Sequence, residues 1–213
     1  FDSVRRTGLI TINQIIEIQR TLEQNDAGFR KLPGTTLRNR ATGEIVYTPP
    51  QDPAQILELM SDLERFINDP TFLNADPLVK MSVIHYQFES IHPFYDGNGR
   101  TGRIINILYL VSNGLLNLPV LYLSRYIIQH KSDYYRYLQE VRDQDAWENW
   151  VLFMLDAVSV TARQTIAQII SIRDMIQDYK HRIRKQLPRI YSQDLLNNLF
   201  RHPYTKISVL QRE

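Results

Sequence analysis

The twelve residues from His92 to Arg103 read His-Pro-Phe-Tyr-Asp-Gly-Asn-Gly-Arg-Thr-Gly-Arg. A general-base candidate, a carboxylate, three glycines, an amide and two arginines fall within this one short run. Apolar sequence with helical spacing lies on both sides of it, at 81–91 and 104–111. The pattern predicts a helix, a polar glycine-rich loop and a second helix, with the loop as the functional part of the chain.

The second half of this loop is typical of a phosphate-binding site. Gly97 and Gly99 can take a positive φ and let a ligand approach the backbone closely. The helix that begins near Arg100 presents free N–H groups and the positive end of its dipole to the loop. Arg103 follows three residues later, so one helical face carries both guanidinium groups, which suits a polyphosphate better than a single carboxylate.

Two further side chains supply what phosphate chemistry needs. His92 is the natural proton acceptor, since an unperturbed imidazole has a pKa of about 6.5. Asp96 is suited to a divalent cation, because one carboxylate together with phosphate oxygens is the set of ligands that magnesium prefers. A plain interhelical turn with a terminal histidine is the simpler alternative. The coincidence of base, metal ligand, anion site and two arginines disfavours it.

Composition and charge limit the class of the protein. The chain has 213 residues, of which 43% are hydrophobic, enough for one large domain or one domain with a small appendage. A formal net charge of +2 does not predict a nucleic-acid binder. The chain has no cysteine, which excludes disulfides and thiolate zinc sites and favours a cytoplasmic location. No apolar run reaches the ~18 residues of a membrane span.

Periodicity and capping residues predict helices along most of the chain. Thr11 is expected to cap a helix that runs to Glu23, and Asp52-Pro53 and Asp76-Pro77 are both typical helix starts. His85 falls on the apolar face of the helix before the loop and is interpreted as a packed core residue. Further helices are predicted at 100–112, 124–129, 132–142, 146–187, 192–200 and 204–210.

Residues 36–39 and 44–48 have a different character. Their β-branched and aromatic residues lie on either side of a short connection that contains Gly43, which predicts a β-hairpin. The fold class predicted from these patterns is all-α, a helical bundle with one small hairpin.

The stretch from His92 to Arg103 resembles the signature of the Fic family, His-Pro-Phe-x-[Asp/Glu]-Gly-Asn-Gly-Arg-x-x-Arg, at every specified position. The resemblance extends from about Ile10 to about Leu187. Leu32–Leu37 and Thr42–Pro50 resemble the flap region of bacterial members. The resemblance implies a Fic-fold bundle and three parts: an N-terminal helical segment (1–30), a catalytic core (31–187, with the flap at 35–48) and the start of a winged-helix module (188–213).

The activity implied by this resemblance is transfer of AMP from ATP to a Ser, Thr or Tyr hydroxyl of a target protein. His92 would take the proton from the hydroxyl, and Asp96 would hold Mg²⁺. The phosphates would be bound by the backbone of Gly97, Asn98 and Gly99, the side chain of Asn98, Arg100 at the β-phosphate and Arg103 near the γ-phosphate.

The resemblance also implies the remaining contacts. Ile45, Val46 and Tyr47 on the flap would lie over the nucleotide, and the target protein would bind the flap as an added strand. Tyr134 and Tyr135 would border the adenosine. Self-modification and a homodimer are also considered as partner arrangements, whereas a membrane or a nucleic acid is not expected.

Three alternatives stay open. The related Doc toxins carry a lysine where this chain has Gly99 and transfer phosphate, so the glycine favours AMP transfer over phosphotransfer. The second alternative is a nucleotide-sensing module without turnover. The third is a DNA-linked regulator, which would use the basic run at 180–185.

Many Fic proteins also carry an inhibitory helix, [Ser/Thr]-x-x-x-Glu-[Gly/Asn]. No match is found, since Thr21-Leu22-Glu23 has the wrong spacing. Either the protein lacks such a helix or the helix lies before Phe1, and the second alternative is the one expected.

Overall fold

The structure is a computed structural model that describes residues 1–39, 42–201, 204 and 206. The chain divides into two units, Phe1–Thr161 and Ala162–Glu213. The described residues are mostly helical, with one small two-stranded antiparallel sheet, which confirms the predicted fold class. Within this described part, no helix combines the length and the apolar character that crossing a membrane requires.

Of the elements in the described residues, seven helices and both strands lie wholly within the first unit. They are α1 (Asp2–Thr7), α2 (Ile12–Glu23), β1 (Leu37–Arg38), β2 (Ile45–Tyr47), α3 (Pro53–Asn68), α4 (Pro77–Ile91), α5 (Asn98–Ser112), α6 (Leu123–Gln129) and α7 (Lys131–Gln144). Helix α8 (Trp147–Gln186) begins in the first unit and ends in the second, which also contains α9 (Gln193–Arg201). The predicted helix at 204–210 lies almost entirely outside the described residues.

The predicted helix starts are confirmed by their capping hydrogen bonds. The Asp52 carboxylate accepts a hydrogen bond from the Ala54 amide at 3.0 Å, and Asp76 accepts one from Leu78 at 2.8 Å. In both helices the next residue is a proline, whose missing N–H costs nothing at that position. Thr11 forms a reciprocal capping box at the start of α2.

The predicted hairpin is present and short. Leu37 pairs with Tyr47 and Arg38 with Ile45, in antiparallel register. The Asn39 amide donates to the Glu44 carbonyl at 2.9 Å and continues the pairing toward the turn. Residues 40 and 41 of the predicted turn lie outside the described residues.

Helices α4 and α5 pack against each other at the centre of the first unit. Helix α5 also contacts α1, α2 and α6, and α3 packs on α4. Phe88, Ile105 and Trp150 are completely buried. His85 is also buried, as predicted, and its ring stacks on Trp150 with centroids 6.0 Å apart. The loop between α4 and α5 is therefore held by the two most enclosed helices of this unit, which suits a precisely built site.

Candidate active site

His92 is the C-cap of α4 and has an unusual backbone conformation. Its φ of 49° and ψ of 57° lie in the left-handed region, which is rare for a residue other than glycine. Its amide still donates to the Phe88 carbonyl at 2.9 Å, so the helix ends there. The chain therefore changes direction at His92, and the imidazole lies where α4 meets the loop.

The imidazole of His92 is in its proton-accepting form at neutral pH. Burial lowers its pKa to about 4, and the nearby guanidinium groups of Arg30 and Arg142 act in the same direction. The Glu89 carbonyl and the Asp96 carboxylate oppose the shift without cancelling it. A neutral imidazole is the species that a general base requires.

Asn98 closes the loop between the two helices. Its side-chain oxygen accepts a hydrogen bond from the Phe94 amide at 2.9 Å, and its side-chain nitrogen donates to the Phe94 carbonyl at 2.8 Å. Asn98 is almost fully buried, and the Phe94 ring lies in the core. The resemblance assigns the Asn98 side chain to phosphate. In this structure both polar atoms of that side chain form hydrogen bonds within the loop.

The first turn of α5 contains the backbone amides that the sequence analysis predicts to bind an anion. Asn98, Gly99 and Arg100 are its first three residues, and their N–H groups precede the first intrahelical bond, from the Thr101 amide to the Gly97 carbonyl. Gly97 is the N-cap, with a φ of 81° that strongly favours glycine.

Gly99 differs from the sequence-based expectation of a positive φ, since it lies inside the helix. Its lack of a side chain serves a different purpose. A Cβ at this position would lie 3.1 Å from Nη1 of Arg103, closer than ordinary van der Waals contact. The glycine therefore leaves room for the second arginine of the motif.

The two arginines of the motif have different partners. Arg100 Nη2 donates to Oε1 of Glu23 at 2.5 Å, and its side chain is about half exposed. Arg103 Nε donates to the Ser124 hydroxyl at 2.7 Å. Among the described residues, no carboxylate lies within ion-pair distance of Arg103. Its charge is thus available to an anionic ligand.

Helix α2 supports the loop through two polar residues one turn apart. Gln19 is buried and donates to the Asp96 carbonyl at 3.3 Å, and Glu23 forms the pair with Arg100. Their spacing of four residues, which places Gln19 and Glu23 on the same face of α2, is the one feature of the sequence that could have indicated a shared role. Neither contact could be predicted from the sequence, because the partners lie 77 positions apart and no local pattern indicates such a contact.

Glu89 is a buried carboxyl group under the start of α5. Burial raises its pKa to about 7, and the charges of Arg103 and Arg142 only partly offset this effect. Its Oε1 has no hydrogen-bond partner among the described residues, and a Cβ added at Gly102 would lie 2.9 Å from it. Glu89 lies three residues before His92 and was not among the predicted site residues.

Asp96 is exposed at the tip of the loop. Its Oδ1 accepts a hydrogen bond from the Gly97 amide at 2.7 Å, which orients the carboxylate beside the first turn of α5. Within the described part of the chain, no group of three or more acidic or histidine side chains is placed to hold a metal ion. A single carboxylate nevertheless fits Mg²⁺, which usually keeps water ligands and takes further oxygens from substrate phosphates.

The three predicted flap residues point in different directions. Ile45 and Val46 are about half exposed, at 51% and 45%. Tyr47 packs inward, where its hydroxyl donates to the Ser90 carbonyl at 2.9 Å and its ring stacks under the Arg142 guanidinium at 3.8 Å. The hairpin is therefore anchored next to the end of α4 by Tyr47.

Tyr134 and Tyr135 also occupy different environments. Tyr134 is 4% exposed, and its hydroxyl lies 3.0 Å from Nε2 of His85. Tyr135 is 56% exposed and packs edge-on against Tyr134. Of the two, only Tyr135 presents a large accessible surface to a ligand.

Comparison with protein families matches two stretches of the chain. The Fic/DOC family profile matches residues 9–110, which include the whole motif, and the profile of the protein adenylyltransferase SoFic-like C-terminal domain matches residues 175–213. The chain contains a Fic/DOC family domain, followed by a SoFic-like C-terminal domain.

Individual Fic proteins are similar to this chain. Protein adenylyltransferase fic-1 of Caenorhabditis elegans is 33% identical over 115 residues, which are 52% of this chain and 22% of that protein. Protein adenylyltransferase Fic of Aedes aegypti is 30% identical over 158 residues, which are 74% of this chain and 30% of that protein. The chain thus spans between a fifth and a third of the length of these curated relatives.

A solved structure supports the same fold. The crystal structure of a Fic family protein from Desulfovibrio desulfuricans G20 matches with a TM-score of 0.61 and 26% identity, covering 74% of this chain and 47% of the other. The Fic-fold bundle implied by the sequence motif is thereby confirmed.

Proposed function

We propose that this Fic protein is a protein adenylyltransferase that moves AMP from ATP to a hydroxyl group of a target protein. The observation that carries the proposal is the position of His92. A neutral imidazole lies at the end of α4, on the loop that leads directly into the first-turn amides of α5. The names of the similar proteins in C. elegans and A. aegypti support the same activity.

In the proposed reaction, Nδ1 or Nε2 of His92 accepts the proton of a Ser, Thr or Tyr hydroxyl. The hydroxyl oxygen forms a bond to the α-phosphorus of ATP, and the bond from that phosphorus to the oxygen bridging the β-phosphorus breaks. Pyrophosphate leaves with the electron pair. The backbone amides of Asn98, Gly99 and Arg100 would hold the phosphate oxygens as charge develops on them.

The charged side chains have separate roles in this proposal. Arg100 would bind the β-phosphate, and Arg103, which Ser124 already orients, would bind the γ-phosphate region. Asp96 would hold Mg²⁺, which offsets the negative charge of the phosphates when it is bound.

The flap would receive the target protein. Each strand of a two-stranded sheet has one unpaired edge, to which an extended segment can add as a further strand. The half-exposed Ile45 and Val46 would cover the nucleotide, while Tyr47 keeps the hairpin beside His92. Tyr135 is the better placed of the two tyrosines to border the adenosine, because it is the exposed one.

Labelling with ATP tests the proposal. The protein is incubated with Mg²⁺, a cell lysate and ATP labelled at either the α- or the γ-phosphorus, and the marked peptides are identified by mass spectrometry. Retention of the α-label without the γ-label is the expected result. Retention of the γ-label would indicate phosphotransfer instead, and binding of ATP without any labelled protein would indicate a nucleotide sensor. A labelled band at 25.1 kDa would reveal self-modification.

His92→Ala is expected to abolish labelling while the protein still folds and binds ATP. His181→Ala is the matched control, since His181 is an exposed histidine of the second unit. Labelling that survives in His92→Ala would contradict the assignment of the general base.

A further inference from the structure

Arg30 is a buried arginine in the connection between α2 and the flap. Only 1% of its surface is exposed, and among the described residues no carboxylate lies within ion-pair distance of it. A buried charge without a counterion is costly unless other polar groups satisfy it. The contacts of Arg30 therefore need an explanation.

Backbone carbonyls take the place of a counterion. Nε of Arg30 donates to the His92 carbonyl at 2.8 Å, and Nη2 donates to the carbonyls of Pro50 at 2.8 Å and Ile91 at 3.3 Å. Ile91 and His92 end α4, where carbonyls lack intrahelical partners and the helix dipole is negative. The guanidinium thus caps the helix that carries the proposed general base.

The same residue fixes the chain on both sides of the left-handed turn. The Arg30 amide donates to the Pro93 carbonyl at 2.8 Å, while its side chain holds the carbonyl of His92. A non-glycine residue in the left-handed region costs on the order of 1–2 kcal/mol and persists only when its surroundings enforce it. Two hydrogen bonds from one residue to successive carbonyls provide that enforcement.

The third carbonyl extends the role to the flap. Pro50 closes the segment that follows β2, so one guanidinium joins the base of the hairpin to the backbone of His92. We propose that Arg30 is a positioning residue that orients the His92 imidazole and holds the flap at a fixed position relative to it. This role rests on the proposed AMP transfer for its catalytic consequence, but the geometric part can be tested without turnover.

Electrostatics agree with this placement. Burial is the largest cause of the lowered pKa of His92, and the positive charge of Arg30 is the second largest. The arginine therefore favours both the position and the neutral form of the imidazole. A purely structural arginine would affect only the amount of folded protein.

The test compares Arg30→Lys and Arg30→Met with the control Lys31→Met. Lysine keeps the charge but cannot reach three carbonyls with a planar fork. The side chain of Lys31 is exposed, and its backbone amide donates to the Tyr95 hydroxyl at 3.0 Å. Thermal unfolding, AMP transfer to a target protein found by labelling, and the ¹³Cε1 resonance of His92 are measured for each variant.

For Arg30→Lys we expect kcat per folded molecule to fall on the order of 10- to 100-fold with the KM for ATP unchanged, as for a displaced catalytic group. In Arg30→Met the fall is expected to be larger. The His92 resonance should shift in both variants and not in Lys31→Met. A loss of activity that matches the loss of folded protein, or an unchanged His92 resonance, would overturn the proposal.

The two proposals fail separately. If the wild-type protein transfers no AMP, the proposed function is wrong, but the His92 resonance still reports whether Arg30 positions the ring. If transfer occurs and the Arg30 variants retain the wild-type kcat and resonance, only the positioning role is wrong.

Discussion

The carboxylate of Glu23 lies against the start of α5, 2.5 Å from Nη2 of Arg100. It also contacts Gly97, the N-cap of that helix, closely enough to collide with any side chain placed there. The helix N-terminus and the arginine both favour a negative group at this position, and they would favour a phosphate for the same reason. Glu23 and the phosphates of ATP should therefore compete for the same donors.

Glu23→Gln should strengthen ATP binding. The substitution removes the negative charge and keeps the shape of the side chain. Because Arg100 is half exposed, the pair is worth at most about 1 kcal/mol, which corresponds to a decrease of up to about fivefold in the dissociation constant for ATP. Isothermal titration calorimetry measures this directly.

Glu17→Gln is the control for this prediction. Glu17 lies on the same helix but is mostly exposed and 3.9 Å from Arg20, away from the loop. Its substitution should leave the affinity for ATP unchanged. If Glu23→Gln binds ATP no better than Glu17→Gln, competition at Arg100 does not occur.

Gly97→Ala should be more destabilising than Gly8→Ala. Both glycines have a positive φ, 81° and 71°, so an alanine at either site costs on the order of 1–2 kcal/mol. A Cβ at Gly8 meets nothing within 4 Å, whereas one at Gly97 displaces Glu23 from Arg100. The extra cost should reach about 1 kcal/mol and should disappear in a Glu23→Ala background. Urea denaturation measures the free energy of unfolding of the wild type, Gly8→Ala, Gly97→Ala, Glu23→Ala and the Glu23→Ala/Gly97→Ala double variant. Equal costs at both glycines would show that Glu23 moves freely.

Local sequence features predicted most of the fold. Asp52-Pro53 and Asp76-Pro77 were sufficient to place two helix starts, because a cap acts through hydrogen bonds within three residues. The long apolar period after Ala146 likewise predicted the helix that became α8. The hairpin followed from residue types on both sides of Gly43. These features are local, so one sequence contains all the information that they need.

The site was predicted less completely than the fold. The motif placed His92 and Asp96 on one loop and the two arginines at the start of the helix that follows it, but the left-handed backbone of His92 was unexpected. The residue before a proline usually avoids helical conformations, and a positive φ usually requires glycine. Contacts over a long sequence separation cause this exception, above all those of Arg30, 62 positions earlier. Periodicity and motif spacing carry no information on such contacts.

His92 should remain neutral well below pH 6. Its pKa is lowered to about 4, chiefly by burial, so the ¹³Cε1 resonance should stay constant from pH 8 to about 5.5 and move only below that. A histidine peptide under the same conditions should titrate near 6.5. Comparison with His92→Ala assigns the signal. A midpoint near 6.5 in the folded protein would show that the imidazole is solvated.

The same shift affects stability with a defined sign. The folded-state pKa is below the unfolded-state value, so the unfolded chain binds the proton first as the pH falls. The contribution of His92 to stability is therefore complete above pH 6.5 and is lost as the pH falls toward 4. In His92→Ala, the free energy of unfolding should depend less steeply on pH within this window.

Glu89→Gln should stabilise the protein at alkaline pH. Burial raises the pKa of Glu89 from 4.5 to about 7, so the folded state holds a proton that the unfolded state has already released between these values. Stability contributed by the protonated carboxyl is thus lost as the pH rises from 4.5 to 7. Glutamine remains neutral at every pH, so the variant should equal the wild type near pH 4 and exceed it at pH 8, by on the order of 3 kcal/mol. Urea denaturation from pH 4 to 8 measures the difference. The control is Glu58→Gln, at an exposed position of α3, whose free energy of unfolding should stay within about 0.5 kcal/mol of the wild-type value throughout. A Glu89→Gln difference that does not grow between pH 4.5 and 7 would mean that Glu89 ionises without a penalty in the folded protein, through a closer contact with Arg103 than the structure contains.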